Sequence, residues 1–109
     1  MRIDVAQFDV YRNPSASARH GMPYVVTVQS DLLDGLQTRL TIPLGTDKTL
    51  SGSAPRNLCP AFEFDGETLY ALPHFSVAFR TRDLGRPVGS LASQASDIVA
   101  ALDAVISGV

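Results

Sequence analysis

Through the first two thirds of the chain, apolar and polar positions alternate with the period of a strand that buries one face. In "RIDVAQFDVY" the apolar positions are Ile3 and Val5 and then, after a change of phase, Phe8 and Val10. That shift predicts a bulge, or an N-terminal extension leading into the strand. "RNPSASARHGM" has no period and many turn residues, so it reads as a loop. "PYVVTVQS" is rich in β-branched and aromatic residues and sets Tyr24, Val26 and Val28 on one face. Asp31, Asp34 and Gly35 mark "DLLDGLQ" as a turn, and at least one of the adjacent Leu32 and Leu33 must face outward.

Alternation resumes in "TRLTIPL" through Leu40, Ile42 and Leu44. Pro43 has no amide to give a ladder, which predicts an edge strand, a strand end or a bulge there. "GTDKTLSGSAPRN" is a second loop, and "LCPAFEFDGETLYALP" is a hairpin folded at Asp65-Gly66, a type I′ signal. "HFSVAF" is a further candidate strand, followed by the polar linker "RTRDLGRPVG". The period then changes to that of a helix. Ile98, Val99, Leu102, Val105 and Ile106 recur at helical spacing among alanines, which predicts a terminal helix over about residues 90–107 with Ser90 or Ser93 as its cap. Five or so strands and one helix make a small, mainly antiparallel α+β domain or barrel, a single unit over residues 1–109.

Composition narrows the function classes. The net charge is −2 and the nine basic residues are scattered, which argues against binding nucleic acid through clustered phosphate contacts. The one cysteine, Cys59, sits among apolar residues and reads as an inert buried thiol. "MRIDVAQFDV" contains Asp4 and Asp9 and lacks an apolar h-region, and no apolar run reaches membrane-spanning length, so a cytoplasmic protein without a membrane partner is expected. His20 and His74 are the only imidazoles; a catalytic use would set one beside Arg19 or Arg80, but a loop and a strand-end histidine is the simpler reading. Asp31 and Asp34 are better read as turn hydrogen-bonders than as a carboxylate pair. No catalytic residue, metal site or cofactor is assigned. Outward apolar groups point instead to a contact surface.

"QFDVY", "VQSDLLD", "IPL", the Leu58 and Pro60 of "LCP" and "SDIVAALDAVISGV" resemble the CcdB family, toxins of toxin–antitoxin modules. The likeness covers the whole domain after an N-terminal extension of residues 1–6. It implies an SH3-like antiparallel barrel with a small extra sheet and a C-terminal helix, assembled as a two-fold homodimer. It further implies a non-enzymatic poison that binds the DNA gyrase A subunit and traps the gyrase–DNA cleavage complex. A CcdA-like antitoxin neutralises such a toxin through a disordered C-terminal segment that folds on binding. By position, the gyrase-facing residues implied are Leu32, Leu33, Asp103, Ile106, Ser107, Gly108 and Val109. The resemblance implies that the last three of these, Ser107, Gly108 and Val109, lie beside the dimer axis, where a polar tail would block the contact.

One departure changes the expected strength of that contact. The family pattern closes on Trp-Gly-Ile after an aromatic, whereas this chain has Ile106 followed by Ser107-Gly108-Val109 and contains no tryptophan. An aromatic anchor stacked on a guanidinium contributes ~2 kcal/mol or more, so the contact is expected to weaken by roughly thirtyfold. Two other readings compete. MazF-type messenger-RNA endonucleases share the fold, and a relative would use His20, Arg19 or His74 in acid–base or phosphate-stabilising roles. A homologue that binds antitoxin but no longer poisons gyrase would also account for the missing aromatic.

Overall fold

The computed structural model describes residues 5–46 and 58–108. Ile3, Val109 and most of the loop "GTDKTLSGSAPRN" lie outside them. Among the described residues seven strands appear in chain order: β1 (Asp9–Arg12), β2 (Tyr24–Thr27), β3 (Thr38–Gly45), β4 (Ala61–Phe64), β5 (Glu67–Ala71), β6 (Val77–Arg80) and β7 (Gly89–Ser90). They form one antiparallel sheet ordered β4-β5-β3-β2-β1-β7, with β6 branching from β3. Among the described residues two α-helices follow β6 and β7 respectively: α1 (Thr81–Leu84), a single turn, and α2 (Ala95–Ser107).

The branch explains Pro43. The first half of β3 pairs with β6 from Thr38↔Arg80 to Thr41↔Val77, and its end pairs with β5 at Leu44↔Ala71 and Gly45↔Tyr70. Pro43 lies between these two ladders while its other neighbour, Val25, continues the pairing with β2. Its carbonyl accepts from the Leu72 amide at 3.0 Å, so its missing N–H falls on the side where β6 has ended and β5 begins. Pro43 is therefore inside a central strand, at the one position where no ladder donor is required.

The sheet curls into a half-barrel, and its two outer strands approach each other through a side chain rather than a ladder. A Cβ on Gly89 would lie 2.4 Å from the Phe64 ring, so only glycine leaves room for the tip of the β4–β5 hairpin. That tip is the type I′ turn its sequence predicts: Asp65 and Gly66 have φ of 50° and 80°. Tyr24 meets the same Phe64 ring edge-on at 5.2 Å.

Inside the curl lies the main core, built from Phe8, Val10, Val26, Val28, Ile42, Leu44, Phe62, Leu69 and Ile98 among others. These are alternating positions on and flanking β1, β2 and β3, joined by Phe62 of β4 and Leu69 of β5 and closed over by one face of α2. A second cluster, Val5, Tyr11, Val25 and Leu84, occupies the opposite face of β1 and β2. The phase shift after Val5 is the switch between the two. Phe8 has φ of 70°, and the turn there carries the chain from the second cluster into the main core. Leu84, in the segment read as a polar linker, is buried because α1 turns it under the sheet.

α2 is shorter than the sequence implies. A 3₁₀ turn over Ala92–Gln94 precedes it, and Gln94 at the N-cap makes no side-chain capping bond. Ser90 Oγ accepts from the Ala92 amide at 3.1 Å, so it opens the 3₁₀ turn rather than the α-helix. Asp97 in the first turn suits the positive end of the helix dipole. Among the described residues no helix is long and apolar enough to cross a membrane.

Candidate functional site

Between β2 and β3 the chain makes a compact excursion over residues 30–37. Ser30 starts it: its Oγ accepts from the Leu32 amide at 3.2 Å and its carbonyl from the Leu33 amide at 2.9 Å, which winds Asp31–Leu33 into a 3₁₀ turn. The Asp34 amide donates to the Asp31 carbonyl and the Leu36 amide to the Leu33 carbonyl, both at 3.1 Å. Asp31 does more than serve the turn. Its Oδ1 accepts from the Gln7 amide at 2.9 Å, while Gln7 Nε2 donates to the Val28 carbonyl at 3.1 Å. The stretches "QFDVY" and "VQSDLLD" are thus bonded to each other.

The base of the excursion is clipped by Gln29, whose Nε2 donates to the Thr38 carbonyl and whose Oε1 accepts from the Leu40 amide, each at 3.1 Å. Beneath it lies Arg39, 4 % exposed. Its Nη1 donates to the carbonyls of Leu36 (2.5 Å) and Thr38 (2.9 Å), and its Nη2 to that of Asp34 (2.7 Å). A guanidinium carries five N–H donors in a rigid fork, which matches such converging carbonyls. With the backbone so occupied, the apolar side chains face out: Leu32 is 93 % exposed, Leu36 52 % and Leu33 48 %. Both members of the adjacent leucine pair therefore face outward, and Leu36 joins them.

The second expected stretch ends α2. Asp103, Ile106 and Ser107 fall three and four residues apart on one helical face, all exposed, with Ile106 at 79 %. Ser107 Oγ donates to the Asp103 carbonyl at 2.6 Å. Gly108 adopts the left-handed conformation (φ 75°) and its amide donates to the Ala104 carbonyl at 3.0 Å, closing the helix. Val109 lies outside the described residues. α2 packs chiefly against the 3₁₀ turn Pro73–Phe75, so this stretch and the leucine turn stand on different supports.

The residues considered for catalysis are dispersed among other duties. Arg19 Nε donates to the Asn13 carbonyl at 2.5 Å, Arg80 pairs with Asp83 at 3.0 Å, and exposed His74 stacks on Phe75 with centroids 4.3 Å apart. Arg12 and Arg19 edge a shallow cavity of ≈ 370 Å³ with Pro23, Tyr24 and Val88, and Arg80 edges another of ≈ 320 Å³; no histidine lines either. Among the described residues no three of His, Cys, Asp and Glu converge on a metal-sized space. Cys59 is buried, which pushes its thiol pKa up. Tyr11 is fully buried and its hydroxyl lacks a well-formed hydrogen bond among the described residues; its pKa is pushed up to about 12, by burial first, then by the charge of the Asp9 carboxylate and the approach of the hydroxyl to it, against an opposing pull from Arg39.

A family model described as CcdB protein matches residues 7–108. The chain belongs to the CcdB family. No curated protein matches it. CcdB membership makes it a toxin of the toxin–antitoxin kind, and the mostly-β half-barrel with a C-terminal helix agrees with the CcdB fold. The match begins at Gln7, the residue tied to Asp31, and ends at Gly108, the helix cap, so both exposed stretches fall inside the CcdB match. Arg39, Gln29 and Leu36 are the members of the site that the sequence pattern does not single out. Arg39 occupies a polar phase of an alternating strand, where an arginine ordinarily points to water.

Proposed function

We propose that the protein acts by binding rather than by bond-making chemistry: it engages the DNA gyrase A subunit, stabilises the gyrase–DNA cleavage complex, and is released by a CcdA-like antitoxin. The observation that supports this reading best is the leucine turn. An apolar side chain 93 % exposed on a turn held by the Gln7 amide, which donates to Asp31, and by the Arg39 side chain of β3 is a feature of a docking surface, since burying it would repay its exposure. Leu32, Leu33, Asp103, Ile106, Ser107, Gly108 and Val109 are the proposed gyrase contacts. In a two-fold homodimer each copy would present both stretches, which compensates for the small area of either alone.

The test is cleavage-complex trapping with purified protein, gyrase and plasmid DNA. Linear, protein-linked DNA should accumulate, and deletion of Ser107–Val109 should abolish it while the circular dichroism spectrum is retained. Full trapping by the deleted chain would sink the assignment of the helix end. Ser107→Trp should tighten binding by roughly thirtyfold, because it supplies the missing aromatic anchor. A second reading draws on the same residue: with no tryptophan in the chain, the protein retains dimerisation and antitoxin binding but does not poison gyrase. Induction in host cells without growth arrest, together with retained antitoxin binding, would select it.

A further inference from the structure

We infer that Arg39 is the positioning residue of the docking turn: its buried guanidinium fixes the conformation in which Leu32, Leu33 and Leu36 face outward. This rests on the reading of that turn as the contact surface. Three exposed leucines on an eight-residue excursion would collapse onto the protein or onto one another if the backbone were free to move, since burial of apolar area is favourable. Ser30 and Gln29 hold the two ends of the excursion. Its middle has backbone bonds from the Asp34 and Leu36 amides, and Arg39 gathers the carbonyls of Asp34, Leu36 and Thr38 from below. A cation nine-tenths or more buried in a 109-residue protein is costly to place. Two of the three carbonyls it satisfies, those of Asp34 and Leu36, belong to the excursion, and the third, that of Thr38, is where the excursion joins β3.

A lysine keeps the charge but presents its donors from a single nitrogen, so it cannot reproduce the fork that spans Asp34 and Leu36. The resulting effect on binding has a defined form. When the competent conformer is only a fraction of the population, the apparent dissociation constant rises by the inverse of that fraction. Anything that restores the conformer restores the affinity. Gly35 offers such a route: a Cβ there meets nothing within 4 Å and its φ is not in the left-handed region, so Gly35→Ala stiffens the excursion without a clash.

The experiment compares the wild type, Arg39→Lys, Arg39→Gln and Arg39→Lys/Gly35→Ala by ¹⁵N relaxation and by binding to immobilised gyrase A subunit. In both single variants the order parameters of Leu32 to Gln37 should fall from about 0.8 to below about 0.6, while those of β1, β2 and β3 stay unchanged. Affinity for the gyrase A subunit should drop about tenfold, and the Gly35→Ala addition should recover most of the order and the affinity together. Equal loosening of turn and strands, an unaltered turn, or failure of both single variants to fold would each overturn the inference, since Arg39 would then be a general structural residue or none. Should the wild type itself not bind gyrase, the proposed function falls, and the relaxation data with the Gly35→Ala rescue decide the role of Arg39 by themselves.

Discussion

The two exposed stretches are built on opposite plans. The end of α2 is held by its own helix: Ser107 and Gly108 bond to Asp103 and Ala104, four residues back, while Ile98 and Ala101 are buried and Ala95 and Leu102 pack against the main core further up. The leucine turn has little regular structure of its own and is held from outside, by Gln7 across the sheet and by Arg39 beneath. A helix end can be presented by sequence-local bonds because its backbone is satisfied within the segment. An irregular turn needs donors from elsewhere, so its order depends on the tertiary fold.

The sharpest way to break this contrast is to weaken the anchor of the helix alone. Ile98→Ala should cost about 3 kcal/mol in urea unfolding, through the cavity it leaves in the main core, and should loosen α2 while the leucine turn keeps its order. If the turn loosens equally, the two supports are one. Next in size is an alkaline effect beneath the sheet face that carries Arg39. Below pH 10 Tyr11 is neutral whether folded or unfolded and its contribution is complete; from 10.0 to about 12 the unfolded chain gives up the proton while the folded chain keeps it, so stability falls as pH rises. The loss totals about 2–3 kcal/mol. Tyr11→Phe should remove that part of the pH dependence at little cost near neutrality, since the hydroxyl has no well-formed hydrogen bond to lose.

Smaller effects separate the two plans locally. Gly108→Ala places a Cβ in the left-handed region and should cost about 1 kcal/mol, confined to fraying of the last turn in amide exchange. Ser30→Ala removes the acceptor for the Leu32 amide and should cost about 0.5 kcal/mol, confined to the leucine turn. Exchange that crossed from either stretch to the other would argue that they are coupled within one chain.

Legibility in the sequence follows the range of the interactions. The β4–β5 hairpin could be read because Asp65-Gly66 is a local turn code with an alternating run on each side, and α2 could be read because its period runs through thirteen residues. The outward leucines were legible in outline, since two adjacent apolar residues in a turn cannot both find a core. Arg39 was not legible: its partners are backbone carbonyls, which every residue carries, so no side-chain pattern announces them. Leu84 and Val25 were missed as buried positions for a related reason, since the second cluster draws single residues from Val5, Tyr11, Val25 and Leu84 and has no period in any one segment.

By itself, the sequence determined the strands that bury a face, the hairpin, the terminal helix and the family, because each is encoded in spacings of a few residues or in short motifs. The tertiary structure alone decided where β3 exchanges one partner for another, which face covers Tyr11, and what holds Leu32, Leu33 and Leu36 in the open. Those depend on backbone groups meeting across the sheet, and the geometry of that meeting exists only once the chain has closed on itself.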